Sequence, residues 1–204
     1  MKTRFKIIAY VVGVLLFAVA CTEEAKKNIK DAKQVVSATT SYAKDVTSMQ
    51  KEIERLQKLT PVTNEQLKAW LPESVGNLNR TGFKIGQGAY MKISMIEGTY
   101  MGDDRKKKIN ITIMDGAGPT GSAMVPGYGL LGNFETEVED ERKHLQTVTV
   151  NGIKAKQTYY KKRNGTQLMF IYNKRFIVTV NSNNMDVDET WGAVKKMQLN
   201  KLEN

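Results

Sequence analysis

The stretch LQTVTVNGIKAKQTYYKKRNGTQLMFIYNKRFIVTVN, residues 145–181, decides the fold. Asn151-Gly152 and Asn164-Gly165 each place together two residue types that tolerate positive φ, as the tight type I′ hairpin turn requires. They bracket a run from Ile153 to Lys162. Leu145 to Val150 precedes it, and Thr166 to Tyr172 and Phe176 to Asn181 follow. β-Branched and aromatic residues are frequent in these runs, so the segment predicts an antiparallel meander.

The same signals extend outward. Lys92 to Met101 and Lys107 to Met114 read as strands separated by Gly102-Asp103-Asp104, and Ile109, Ile111 and Ile113 fall on one face with the period of two of a half-buried strand. Phe134 to Asp140 reads as another short strand. Met185 to Met197 predicts an amphipathic helix with Val187, Trp191, Val194 and Met197 on one side. Asp186 and Asp188 near its start and Lys195 and Lys196 near its end suit the helix dipole. Asn64 to Leu71 predicts a shorter helix, with Thr63 as N-cap and Gln66 completing a capping box. Strands in one antiparallel sheet with helices at both ends specify an α+β class, a meander sheet packed with helices as an α/β sandwich. In its order of elements, and in the run Val150-Asn151-Gly152-Ile153 through Phe176-Ile177-Val178-Thr179-Val180 to the last helix, the chain from about 65 to 200 resembles the sandwich shared by Mog1, PsbP and the DcrB type of envelope lipoprotein. That resemblance implies a binding or assembly role and carries over no catalytic residues.

Before this domain lies a different composition. From Ala25 to Leu59 there is neither Pro nor Gly, and Ala32, Val35, Thr39, Tyr42, Val46, Met49, Ile53 and Leu56 recur at alternating three- and four-residue spacing. A long N-terminal helix is expected, roughly 50 Å at 1.5 Å per residue. Its seam serves either a coiled-coil stalk, with homo-oligomerisation through residues 25–59, or a packing face laid on its own domain. Thr60-Pro61-Val62-Thr63 ends it, because Pro disfavours helix in the residue before it.

The first residues read as an address. Lys2, Arg4 and Lys6 precede thirteen uncharged residues, Ile7 to Val19, a run too short for a membrane-spanning helix and suited to a signal peptide. Ala18, Val19, Ala20 and Cys21 resemble the lipobox of bacterial lipoproteins, with Ala18 in place of the usual Leu. The resemblance implies cleavage before Cys21, acylation of that residue and stable attachment to a membrane through more than one chain. Thr22 in place of a retention Asp, followed by Glu23 and Glu24, points to the outer membrane, facing the periplasm or the cell surface. The expected organisation is therefore a signal peptide over 1–20, a lipidated helical tether over 21–60 and a globular domain over 61–204.

Composition excludes several function classes. One Cys and one His among 204 residues cannot build an internal disulfide or a Cys/His metal site. The formal charge of +10 falls to +7 once Lys2, Arg4 and Lys6 leave with the signal. Arg105, Lys106, Lys107 and Lys108 are candidate contacts for an anionic envelope polymer or headgroup. Export argues against a nucleic-acid partner. Gly116-Ala117-Gly118-Pro119-Thr120-Gly121 is a literal GxGxxG, but the alternating strand before it suits a one-sided antiparallel sheet and not a dinucleotide fold. The Gly-rich segment from 116 to 132 reads instead as a loop, with Tyr128, Leu130 and Leu131 as candidate binding residues. His144 lies among charges and reads as exposed, and no catalytic motif or cofactor signature stands out. The expected function is a non-enzymatic binding or assembly module anchored by Cys21, meeting a membrane, an envelope protein or an anionic polymer. An envelope hydrolase or transferase with a dispersed site, and a coiled-coil structural protein, are the alternatives.

Overall fold

The alternation at Ile109, Ile111 and Ile113 organises the molecule, whose computed structural model describes residues 46–86, 93–133 and 135–203. All three isoleucines are buried on one face of a central strand. The chain divides into two compact units, Met1–Met49 and Gln50–Asn204. Of the first, residues 46–49 are described and are helical. The helix α1 covers residues 46–57, and the rest of the expected N-terminal helix lies outside the described residues.

In the second unit, Thr63 caps α2 (Asn64–Trp70) with the reciprocal capping box expected from the sequence. The Gln66 amide donates to the Thr63 hydroxyl oxygen at 3.2 Å, and the Gln66 side chain accepts from the Thr63 amide at 2.7 Å. The strands β1 (Ser74–Val75), β2 (Leu78–Ile85), β3 (Met95–Met101) and β4 (Lys108–Asp115) then form a first meander. The helix α3 (Gly118–Asn133) carries the chain to the far edge. A second meander returns from there through β5 (Glu137–Glu139), β6 (Lys143–Val150), β7 (Ile153–Tyr160), β8 (Gly165–Tyr172) and β9 (Phe176–Asn183). The last helix is α4 (Val187–Lys196), opened by an Asp186 capping box with Glu189. Among the described residues, nine strands share one sheet in the order β1-β2-β3-β4-β9-β8-β7-β6-β5, and every neighbouring pair is antiparallel. Sequentially distant β4 and β9 meet at the centre, with Ile111 opposite Val180 and Ile113 opposite Val178.

Register assigns each face. Ile96, Tyr100, Ile111, Leu168, Phe170, Val178 and Val180 point to one side, where Leu67 and Leu71 near α2, Trp191 and Val194 of α4, and Leu199 and Leu202 of the final 3₁₀ turn cover them. Trp191 stacks on Phe170 at 6.0 Å between ring centroids and donates its indole N–H to the Gln157 side chain at 2.9 Å. The opposite face carries a smaller cluster in which Leu56, Val125 and Ile177 are buried and Met114, Met124, Tyr128 and Ile171 are partly buried. Residues 50–59 thus belong to the compact unit, since Leu56 is fully buried there.

Buried Tyr100 gives this core a pH dependence. Its hydroxyl donates to the Pro72 carbonyl at 3.0 Å, and burial pushes its pKa up to about 12, while the Arg80 charge pulls the other way. The unfolded chain ionises a tyrosine near pH 10, so this contribution is fully present below pH 10 and is lost as pH rises toward 12. Denaturant melts should show wild type losing about 2–3 kcal/mol more than Tyr100→Phe across that window. Parallel losses in the two proteins would rule the contribution out.

Candidate functional site

Asp115 closes β4 and Phe176 opens β9, and between them the chain builds a buried ionic node. The Asp115 carboxylate has no exposed area and accepts two bonds from Arg175, both at 2.7 Å. It also accepts the amide N–H of Ala117 at 3.0 Å and that of Val62 at 2.8 Å. Arg175 further donates to the Thr60 carbonyl at 3.1 Å. One carboxylate therefore ties the segment after α1, the central strand, the β8–β9 turn and the start of α3.

This node explains the GxGxxG pattern. The segment expected as a loop is the helix α3, despite five glycines and two prolines whose helix propensities are poor. Pro119 lies in the first turn, where a missing N–H costs nothing, and Gly118 enters with φ at +75°. Gly121 presses on the backbone of Asp115 and Gly116, where a Cβ would come within 2.6 Å of the Asp115 carbonyl oxygen. Pro126 removes an internal bond, so the helix is held by packing of Val125, Met124 and Tyr128 on Ile177 and Ile171. The glycines admit close backbone approach and not a phosphate. The negative charge near the start of the helix is the protein's own, from Asp115.

Beyond the node, α3 and the β6–β7 and β8–β9 hairpin ends enclose a cleft of about 640 Å³. Its lining includes Tyr128 from α3, Ile153 and Lys154 from β7, Met169 and Ile171 from β8, and Lys174 from the β8–β9 turn. Register places Lys156 opposite Met169, so Lys154, Lys156, Met169 and Ile171 share the face that α3 partly covers. Asn151 and Asn173 form the turns with φ near +50°. Among the described residues, no carboxylate lines the cleft. The Lys154 ammonium meets the Glu135 carboxylate at 3.1 Å, and that side chain is 82% exposed. Away from α3 the same face continues into a smaller depression of about 190 Å³ that shares Met169 and is flanked by Lys143, Lys156 and Tyr160. The Arg163 guanidinium lies 4.1 Å from the Tyr160 ring centroid.

The structure separates the residues that the sequence singled out. Tyr128 lines the cleft; Leu130 and Leu131 lie in α3, but their side chains are outside the described residues. Arg105, Lys106 and Lys107 occupy the β3–β4 turn at the opposite end of the sheet, and Lys108 opens β4, pairing in register with Asn183. Local contacts hold part of this group. Lys107 binds the Glu189 carboxylate, whose hydrogen bond raises the lysine above its usual pKa. The Lys106 carbonyl accepts the Asn184 amide at 2.8 Å, and Arg105 holds a positive φ of 56°. His144 is partly exposed and contacts Glu137 at 3.1 Å. Cys21 lies outside the described residues. Lys154, Met169 and Ile171 were not singled out in the sequence; only the three-residue turn Asn173-Lys174-Arg175 could have placed Lys174 beside the Asn151 hairpin end.

Among the described residues, no helix is long and apolar enough to cross a membrane, and no group of His, Cys, Asp and Glu side chains is placed to hold a metal ion. Comparison of the chain with protein-family models, with curated proteins and with solved structures returns no match.

Proposed function

We propose that this chain is an envelope lipoprotein, anchored through acylated Cys21, whose domain works as a binding module with the cleft beneath α3 as its site. The cleft carries the reading. Its volume of about 640 Å³ lies in the range of small-molecule sites, its floor is Met169 and Ile171, and the charged groups among its described lining residues are the cations Lys154 and Lys174. Such a lining supplies affinity by apolar burial and orientation by charge. The likeness of the sequence to the Mog1, PsbP and DcrB sandwich favours the same class of role. Outer-membrane placement rests on Thr22, Glu23 and Glu24.

Anchor and site are tested separately. Cys21→Ser should release the protein from sedimented membranes or leave it with its signal uncleaved, and unchanged mobility in the membrane pellet would refute acylation. For the site, the full-length chain in phosphatidylcholine nanodiscs is irradiated with a photoreactive hexadecanol. Labels should map to the peptides holding Tyr128 and Met169–Tyr172 and should fall at least roughly tenfold in Met169→Trp, which fills the floor. Met169 lies on the partly open face, so the variant keeps the main core. Labelling spread over the chain and indifferent to Met169→Trp would refute the site.

A further inference from the structure

We propose that the occupant of the cleft is a single-chain anionic amphiphile, a long-chain carboxylate whose tail runs along Met169 and Ile171 under Tyr128 and whose head lies between Lys154 and Lys174. This rests on the binding reading above and adds the chemical class of the ligand. Three observations converge on it. Met169 and Ile171 are two residues apart on β8 and so project to the same side, forming a continuous apolar strip. That strip is roofed by Tyr128, which packs beside Ile171. Both charges among the described lining residues are positive, Lys154 at the start of β7 and Lys174 in the turn that closes β8.

The mouth already shows what it accepts. The carboxylate that reaches Lys154 is Glu135, just beyond the end of α3, and its exposed side chain makes an ion pair that water and salt weaken. A ligand head can replace it without leaving a buried charge behind. The free energy then divides by chemistry. Two exposed ammonium groups hold a small inorganic anion only weakly, because solvent screens them. An alkyl chain without a head would bury its methylenes on Met169 and Ile171 but gain nothing from the lysines. Only a molecule with both parts uses the whole lining, and electrostatic complementarity at the mouth then fixes which end points out. The volume suits one chain.

The test compares photoreactive hexadecanoate with the matched hexadecanol on the full-length chain in phosphatidylcholine nanodiscs, at alkaline pH so that the acid is ionised. The acid should label the Tyr128 and Met169–Tyr172 peptides at a concentration roughly tenfold below that of the alcohol. Lys154→Ala with Lys174→Ala should abolish that advantage while leaving labelling by the alcohol intact. Glu135→Gln, which removes the competing carboxylate, should lower the acid concentration further. Equal half-labelling concentrations in wild type, or an advantage that survives loss of both lysines, would overturn the inference while the binding site stands. Failure of both probes to label the cleft would instead remove the binding reading itself. Each variant changes an exposed side chain, and unchanged melting curves would exclude misfolding as the cause.

Discussion

Replacing Asp115 with alanine is expected to cost about 3–5 kcal/mol of folding stability. The carboxylate is fully buried and receives both Arg175 contacts and two backbone N–H groups, so its loss leaves a partly buried guanidinium and two amides without their acceptor. Asp115→Asn, which keeps acceptor capacity but no charge, should fall between alanine and wild type. Arg175→Met reverses the insult by leaving the carboxylate uncompensated. The double variant Asp115→Asn/Arg175→Met should then be more stable than the sum of the single losses predicts, because the partners act as one unit. Chemical denaturation reads all four proteins. A loss below about 1 kcal/mol for Asp115→Ala would contradict the node as the fastening between α3, the central strands and the segment after α1.

Gly116→Ala should be nearly as damaging, at about 3 kcal/mol. An added Cβ would fall 2.5 Å from the Arg175 carbonyl oxygen and closer still to a Val125 methyl. Backbone cannot yield as a flexible side chain does, so α3 must lift from the end of β4. Gly127→Ala is the control: it lies within α3 itself, and nothing stands within 4 Å of its added Cβ. It should be neutral or stabilising by up to about 1 kcal/mol, through the lower propensity of Gly for helix. Thermal melts of the two variants separate the explanations. Equal effects would mean that the glycines set flexibility and not close approach.

These glycines show where the sequence misleads. Glycine in a run signals either freedom or proximity, and only the partner that comes close, here the Arg175 carbonyl from the distant β8–β9 turn, decides which. The same distance hid the central pairing. The hairpins around Asn151-Gly152 and Asn164-Gly165 are local; the first turns with both Asn151 and Gly152 at positive φ, whereas the second turns through a 3₁₀ segment, Lys161–Arg163, with Asn164 at positive φ and Gly165 already in β8. The β4–β9 pairing joins strands with a helix and the four strands β5 to β8 between them, and no turn residue announces it. The strand β2 escaped because a register shift between Arg80 and Gly82 breaks its alternation. Helix ends fared better, since capping boxes at Thr63 and Asp186 are encoded within four residues. For the site, Tyr128 was legible as an apolar residue in an unusual segment. Met169 and Ile171 looked like any strand residues, because which face of β8 remains partly open is a property of the whole sheet.

A crystal structure of the protein grown with hexadecanoate locates the occupant of the cleft. Continuous density is expected along Met169 and Ile171 beneath Tyr128, with the carboxylate within hydrogen-bonding reach of the Lys154 and Lys174 ammonium groups and Glu135 turned away. A cleft filled by water or collapsed onto Tyr128, with the ligand bound elsewhere on the domain, would contradict it.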